Sequence, residues 1–214
     1  MDEEITIIDS NTRNEKIKNF FINNRKNLIA GFSIILVVII GYLSMKEMKE
    51  REKIKLANQF NITIINFKAE DKQTTIDQLT KIINENDSTY SPLALYFLID
   101  NNLIDNQNEI NRLFNELINE TNLDEEIKNL IIYKKALFNS DFVSENELLK
   151  ILNPVINSES IWKSHALYLL AEFFYSKGEK QKAKEFFNQI LVLPNASSTI
   201  KAESQKRLNR DLGE

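Results

Sequence analysis

The sequence predicts an all-α protein in which a single transmembrane helix near the N-terminus precedes an array of antiparallel helix pairs. Three observations predict this. The stretch Leu28 to Leu43, LIAGFSIILVVIIGYL, runs sixteen residues without a charge in a chain that is 27% charged. Only four Gly and three Pro occur in 214 residues, which argues against a many-turned β fold. Beyond the apolar run, short helix-period segments alternate with Asn-rich and Asp-rich turns.

Residues 1–26 form a head too short to fold alone. Its first eleven residues, MDEEITIIDSN, carry acids and a few aliphatics without a helical stripe, so an irregular segment is expected there. Thr12-x-x-Glu15 then has capping-box spacing. It opens a short amphipathic helix with Ile17, Phe20 and Phe21 on one face and Arg13, Lys16 and Lys18 mostly on the others. Such a helix lies on a membrane surface, aromatic side down.

Residues 27–45 are the span. Sixteen helical residues cover only ~24 Å of a ~30 Å hydrocarbon core, so Asn27, Ser44 and Met45 extend the run while Lys26 and Lys46 reach the headgroups. A buried core helix would carry a polar stripe, and this run has none. A signal peptide would show a small-x-small cleavage pattern, and none follows. Lys and Arg near the span number five on each side: Arg13, Lys16, Lys18, Arg25 and Lys26 before it, Lys46, Lys49, Arg51, Lys53 and Lys55 after it. The positive-inside rule therefore leaves orientation open.

Residues 46–72 continue as a helical stalk, with Met48, Leu56, Phe60, Ile64 and Phe67 near helical spacing or its multiples. Residues 73–214 form the helical domain, with helices expected over 75–85, 92–103, 107–120, 124–139, 145–153, 160–177, 180–192 and 198–210. Thr75-x-x-Gln78 and Ser144-x-x-Glu147 have capping-box spacing, and Ser91-Pro92 puts Pro in a first helical turn. Gly178 marks a helix stop.

The most specific window is residues 164–194. Leu167, Leu170, Ala171 and Phe174 share one helix face, Gly178 makes the turn, and Ala183, Phe187 and Ile190 face back, with Pro194 beyond. That is the spacing of a tetratricopeptide (TPR) repeat, in which small residues let antiparallel helices approach. Counting backwards at that period, Ala136 lies 35 residues before Ala171 and Asp100 lies 36 before Ala136. Leu148 replaces the small residue in the middle repeat. The expectation is a TPR-like α-solenoid of three degenerate repeats.

Two stretches carry a family resemblance. Residues 17–42, through Phe20-Phe21, Asn24, Lys26, Leu28, Gly31, Gly41 and Tyr42, resemble the head and span of the YfgM family, ancillary SecYEG translocon subunits of the bacterial inner membrane. SPLALYFLIDNNLI and the 164–194 window, with YSKGEKQKAK, follow in the same order. The resemblance implies a cytoplasmic N-terminus and a periplasmic TPR-like domain. It also implies protein partners among translocon components, periplasmic chaperones and client proteins, and no catalytic residues.

Chemistry finds little footing in the residues themselves. There is no cysteine and one histidine, His165, so neither a multi-histidine metal site nor thiolate chemistry is expected. No Gly-rich phosphate loop occurs, and no cofactor or small-molecule substrate is expected. After the span, 22 Lys and Arg stand against 26 Asp and Glu with no basic stripe, which gives nucleic-acid binding no support. A non-catalytic protein-binding module is the expectation. A scaffold for envelope assembly or cell division is the alternative, and a membrane-associated hydrolase a more distant one. On the inner face of a stacked repeat, His165, Tyr168, Glu172 and Tyr175 follow at helical spacing, with Phe97, Asn101 and Tyr133 at equivalent upstream positions. These seven side chains could hold a peptide, or the tyrosines could simply be packing between repeats. Trp162 reads as a packing residue at a helix start.

Overall fold

A computed structural model describes residues 2–68 and 71–213, with side chains from residue 13 onward. Among the described residues the chain is all-helical, with ten α-helices and no strand. It divides into two compact units, Met1–Lys55 and Leu56–Glu214.

In the first unit, α1 covers Asp2–Asn23 and is followed by α2, Arg25–Ile65. The expectation of an irregular segment over residues 1–11 is corrected for residues 2–11, which are helical, and Thr12 is not a helix start. The reason is local: no Gly or Pro interrupts the first thirty residues, and Asp2, Glu3 and Glu4 fall where a helix N-terminus favours negative charge. At Asn24 the backbone ladder carries through, with Asn24 N–H donating to the Phe20 carbonyl at 3.0 Å and Leu28 N–H donating to the Asn24 carbonyl at 2.9 Å.

One helix, α2, is long and apolar enough to cross a membrane, and none of its apolar window is buried. The large side chains from Leu28 to Leu43 are 38% to 68% exposed, so no core among the described residues covers this run. The helix continues without a break to Ile65. The packed part begins earlier than the 72/73 boundary read from sequence, however. Leu56, Phe60 and Thr63 are buried, so the second unit starts at Leu56 and only 46–55 of the expected stalk stands outside it.

In the second unit, α3 (Lys72–Asn84), α4 (Tyr90–Asp100), α5 (Gln107–Glu120), α6 (Glu125–Asn139), α7 (Glu145–Ile156), α8 (Lys163–Ser176), α9 (Lys180–Val192) and α10 (Ser198–Asp211) fall close to the expected segments. Side-chain caps start four of them: Asp71, Asn106, Asp124 and Ser144 accept bonds from first-turn amides. Ser144 and Glu147 form the full capping box. Thr75-x-x-Gln78 does not cap. Asp71 starts that helix one turn sooner, and Thr75 is buried inside it with its hydroxyl donating to the Asp71 carbonyl at 3.5 Å. Gln78 instead accepts a 3.0 Å bond from the Thr63 hydroxyl. The last expected residue of α7 was 153, yet the helix passes Pro154 to Ile156. The carbonyl left without its partner belongs to exposed Lys150, where water can serve it.

Helix starts recur regularly. Lys72, Gln107, Glu145 and Lys180 open the odd-numbered helices from α3, and Tyr90, Glu125, Lys163 and Ser198 open the even-numbered ones from α4. Both series step by 35, 38 and 35 residues. Many side-chain bonds bridge the same interval: Thr121 to Asn86 across 35 residues, Ser160 to Glu126 across 34, Lys182 to Glu145 across 37 and Arg207 to Glu172 across 35. From α3 onward each helix packs on its chain neighbours, and α3 with α5, α6 with α8 and α8 with α10 also meet.

The core consists of two apolar clusters that meet at α6. Ile131 belongs to the cluster reaching back to Leu56, and Ile132 and Ala136 to the cluster reaching on to Leu212. In the second, Leu167, Leu170, Ala171 and Phe174 are buried against Ala183, Phe187 and Ile190 as expected. Gly178 adopts φ 79°, a left-handed conformation that suits glycine at a helix stop. Leu148, in place of a small residue, is fully buried. Asp100, by contrast, is the exposed last residue of α4 and lies in no seam. Single-residue counting fails there, although the helix starts keep the period.

Candidate functional site

Four of the seven expected site residues, His165, Tyr168, Glu172 and Tyr175, lie along α8 at steps of three, four and three, and all are half-buried. The stripe is flanked by α6 on one side and α10 on the other, and each flank draws in a different part of it.

Toward α6, the rings of Tyr133, Trp162 and His165 form one cluster. Tyr133 stacks on Trp162 with centroids 5.9 Å apart and planes 20° from parallel, and His165 lies 5.9 Å from Tyr133 and 5.1 Å from Trp162. Burial pushes the Tyr133 phenol above its ordinary range. Trp162 is the residue preceding the first turn of α8, so it packs at a helix start as the sequence suggested. His165 Nδ1 is buried without a hydrogen-bond partner among the described residues. No carboxylate among them bonds to the imidazole.

Toward α10, Arg207 gathers the rest. Its Nε donates to Glu172 Oε1 at 2.6 Å, its Nη2 donates to Glu172 Oε2, and its Nη1 donates to Asp211 Oδ2 at 2.5 Å. The guanidinium lies 4.6 Å from the centre of the Tyr175 ring, a cation–π contact. Arg210 Nε donates to Asp211 Oδ1 at 2.7 Å. Together Arg210 and then Arg207 hold the Asp211 carboxyl down to about 2. Tyr168 rests on Phe187 at 5.5 Å, and burial, followed by the Glu172 charge, raises its phenol.

Phe97 and Asn101 stand apart. Phe97 meets Phe67 edge-on at 5.5 Å. Asn101 is exposed and follows the last turn of α4, where its Nδ2 donates to the Phe97 carbonyl at 2.9 Å. Among the described residues no hydrogen bond or ring contact joins either to Tyr133 or to the α8 stripe. The seven residues thus fall in three places: Phe97 with Asn101, Tyr133 with His165, and Tyr168 with Glu172 and Tyr175.

Sequence reasoning missed Arg207, although its place 35 residues after Glu172 is the repeat interval. It also missed an open groove of about 240 Å³ between the end of α2 and α3, lined by Leu56, Gln59, Thr63, Gln78, Lys81 and Ile82 among others. Among the described residues, no three of His, Cys, Asp and Glu are grouped to hold a metal ion. Chemically, the α8 stripe bonds neighbouring helices laterally: Glu172 is paired with Arg207, His165 and Tyr168 meet other rings edge-on or tilted, and Tyr175 lies against the Arg207 guanidinium. Compared with protein-family models, curated proteins and solved structures, the chain matches none.

Proposed function

We propose that this protein is a single-pass, membrane-anchored, non-catalytic binding module whose helical domain is a TPR-like α-solenoid that recruits or holds proteins near the export channel. The observation that carries it is the run Leu28 to Leu43. It is apolar, helical and wholly exposed, on the same helix whose last turns, from Leu56, pack into the helical domain. The 35, 38 and 35 residue steps of the helix starts support a repeat architecture. The likeness of residues 17–42 and 164–194 to the YfgM family supports an inner-membrane location with the N-terminus cytoplasmic and the helical domain periplasmic. It also supports partners among translocon components and periplasmic chaperones. Against the hydrolase reading stands the lone histidine, held among Tyr133 and Trp162 with no acid beside it among the described residues. The scaffold for envelope assembly or division shares the same architecture and differs only in partners.

Copurification of the full chain in mild detergent tests the partners. Translocon or chaperone components are expected, and their absence in favour of envelope-assembly or division proteins selects the scaffold. Protease added to intact spheroplasts is expected to digest the chain beyond residue 46, whereas protection there reverses the orientation.

A further inference from the structure

We infer that the run Leu28 to Leu43 fits a bilayer whose hydrocarbon core is about 24–27 Å thick and favours it over one of the ordinary ~30 Å. This rests on reading the run as a span, and it adds which bilayer that span takes.

Both borders of the run are sharp. Arg25 and Lys26 stand before Asn27, and Lys46 and Glu47 follow Met45. At about 1.5 Å per residue, Leu28 to Leu43 covers ~24 Å, and Ser44 with Met45 brings the length to ~27 Å. Tyr42 supplies a second measure that does not depend on charge. Its ring is 68% exposed and lies one turn before Lys46, where an amphipathic aromatic meets the headgroup level. From Asn27 to Tyr42 the helix rises roughly 22 Å, again short of an ordinary core.

The helix has no means of lengthening. α2 passes through the run without a break or a proline. Tilting fits a long span into a thin core, but it only shortens the reach of a short one. In a ~30 Å core the deficit of about 3–6 Å is met by thinning the lipid or by drawing a border residue inward. Lys26 and Lys46 can extend their stems to the headgroups. Glu47 cannot follow them, because its side chain is short and its carboxylate is bonded at 2.9 Å to Arg51, on the side away from the run. No described part of the chain competes with lipid for the run. None of its apolar window is buried, and a Cβ added at Gly31 or Gly41 would meet nothing within 4 Å.

The chain has no cysteine, so single labels can be placed at chosen sites. Full-length protein labelled through Asn188→Cys, an exposed position of α9, is reconstituted in giant vesicles with coexisting thin and thick phosphatidylcholine domains, of core about 25 Å and at least ~30 Å. Enrichment in the thin domain of roughly tenfold is expected, from a modest cost per ångström acting over the deficit. Inserting four leucines between Val37 and Val38 lengthens the run by about 6 Å and should abolish that enrichment. An even distribution of the native span overturns the fit to a thin core. So does an enrichment that the four leucines leave unchanged, since lipid order and not thickness would then be read. A second label, at Val37→Cys, reports the span itself through quenching by lipids spin-labelled deep in their chains. Deep quenching there with an even distribution removes the thickness fit and leaves the span standing. A label in water removes both. A label shielded from water yet unquenched by lipid places a protein against the run and overturns the fit in favour of that contact.

Discussion

At the scale of single residues, the α8 stripe acts through its lateral partners. Asp211 illustrates the consequence for pH. Its carboxyl is depressed from an ordinary value near ~3.9 to about 2 by Arg210 and Arg207. A depressed carboxyl contributes its stabilisation above the unfolded value and loses it as pH falls through the folded one. The pairing of Asp211 with Arg210 and Arg207 at the end of α10 should therefore hold at pH 5 and weaken between about pH 4 and pH 2. Hydrogen exchange of the α10 amides, corrected for intrinsic rate, should accelerate across that window, and Asp211→Asn should show accelerated exchange already at pH 5. Tyr133 behaves as packing in the same sense. Tyr133→Ala removes the stack on Trp162 and should cost about 3 kcal/mol in denaturant unfolding, from lost burial plus roughly 1 kcal/mol of ring pairing. Unchanged stability with lost partner capture would instead make Tyr133 a ligand contact. The candidate residues were legible in the sequence as a helical stripe, since spacing of three and four is a local property. Their partners were not, because Glu172 meets a residue 35 positions away.

At the scale of elements, seams and caps decide which helices stay paired. Ala171 and Ala183 are fully buried in the α8–α9 seam, where a larger side chain would force the helices apart. Ala171→Leu should destabilise by about 1–3 kcal/mol, read as a lower denaturation midpoint. The start of α7 was readable from Ser144 and Glu147 because a capping box is four consecutive residues acting on one another. The start of α3 was misread from the same kind of spacing at Thr75 and Gln78. There Asp71 captures the first turn and Gln78 is drawn to Thr63, a competition that spacing alone does not rank. For α2, the proposed span makes a prediction: a charge at the middle of the exposed run opposes insertion. Val37→Arg should cost about 2.5–3.5 kcal/mol of apparent insertion energy and shift the protein into the alkali-extractable fraction of membranes.

At the scale of the whole molecule, two core clusters meeting at α6 predict separable stability within the second unit. Ile131 and Ile132 are neighbours in sequence but point into different clusters. In an array stabilised by nearest-neighbour contacts, damage stays local. Ile131→Ala should therefore speed hydrogen exchange mainly in α3 to α5, and Ile132→Ala mainly in α7 to α9, each by the equivalent of about 2–4 kcal/mol. Equal loosening of both halves would show a single cooperative core. The sequence by itself determined the helical class, most helix limits and the apolar run, because the 3.6-residue period, N-caps and the scarcity of Gly and Pro act over a few neighbouring residues. It also carried the repeat interval, although counting by single small residues lost it at Asp100. Tertiary structure alone decided that the packed unit begins at Leu56 inside α2, that Arg207 claims Glu172 and Tyr175, and that Tyr133 and His165 close around Trp162 while Phe97 turns to Phe67. Each of those outcomes depends on how closely and at what angle helices distant in sequence come to lie, from Phe67 against Phe97 to Glu172 against Arg207, and no local period encodes that distance.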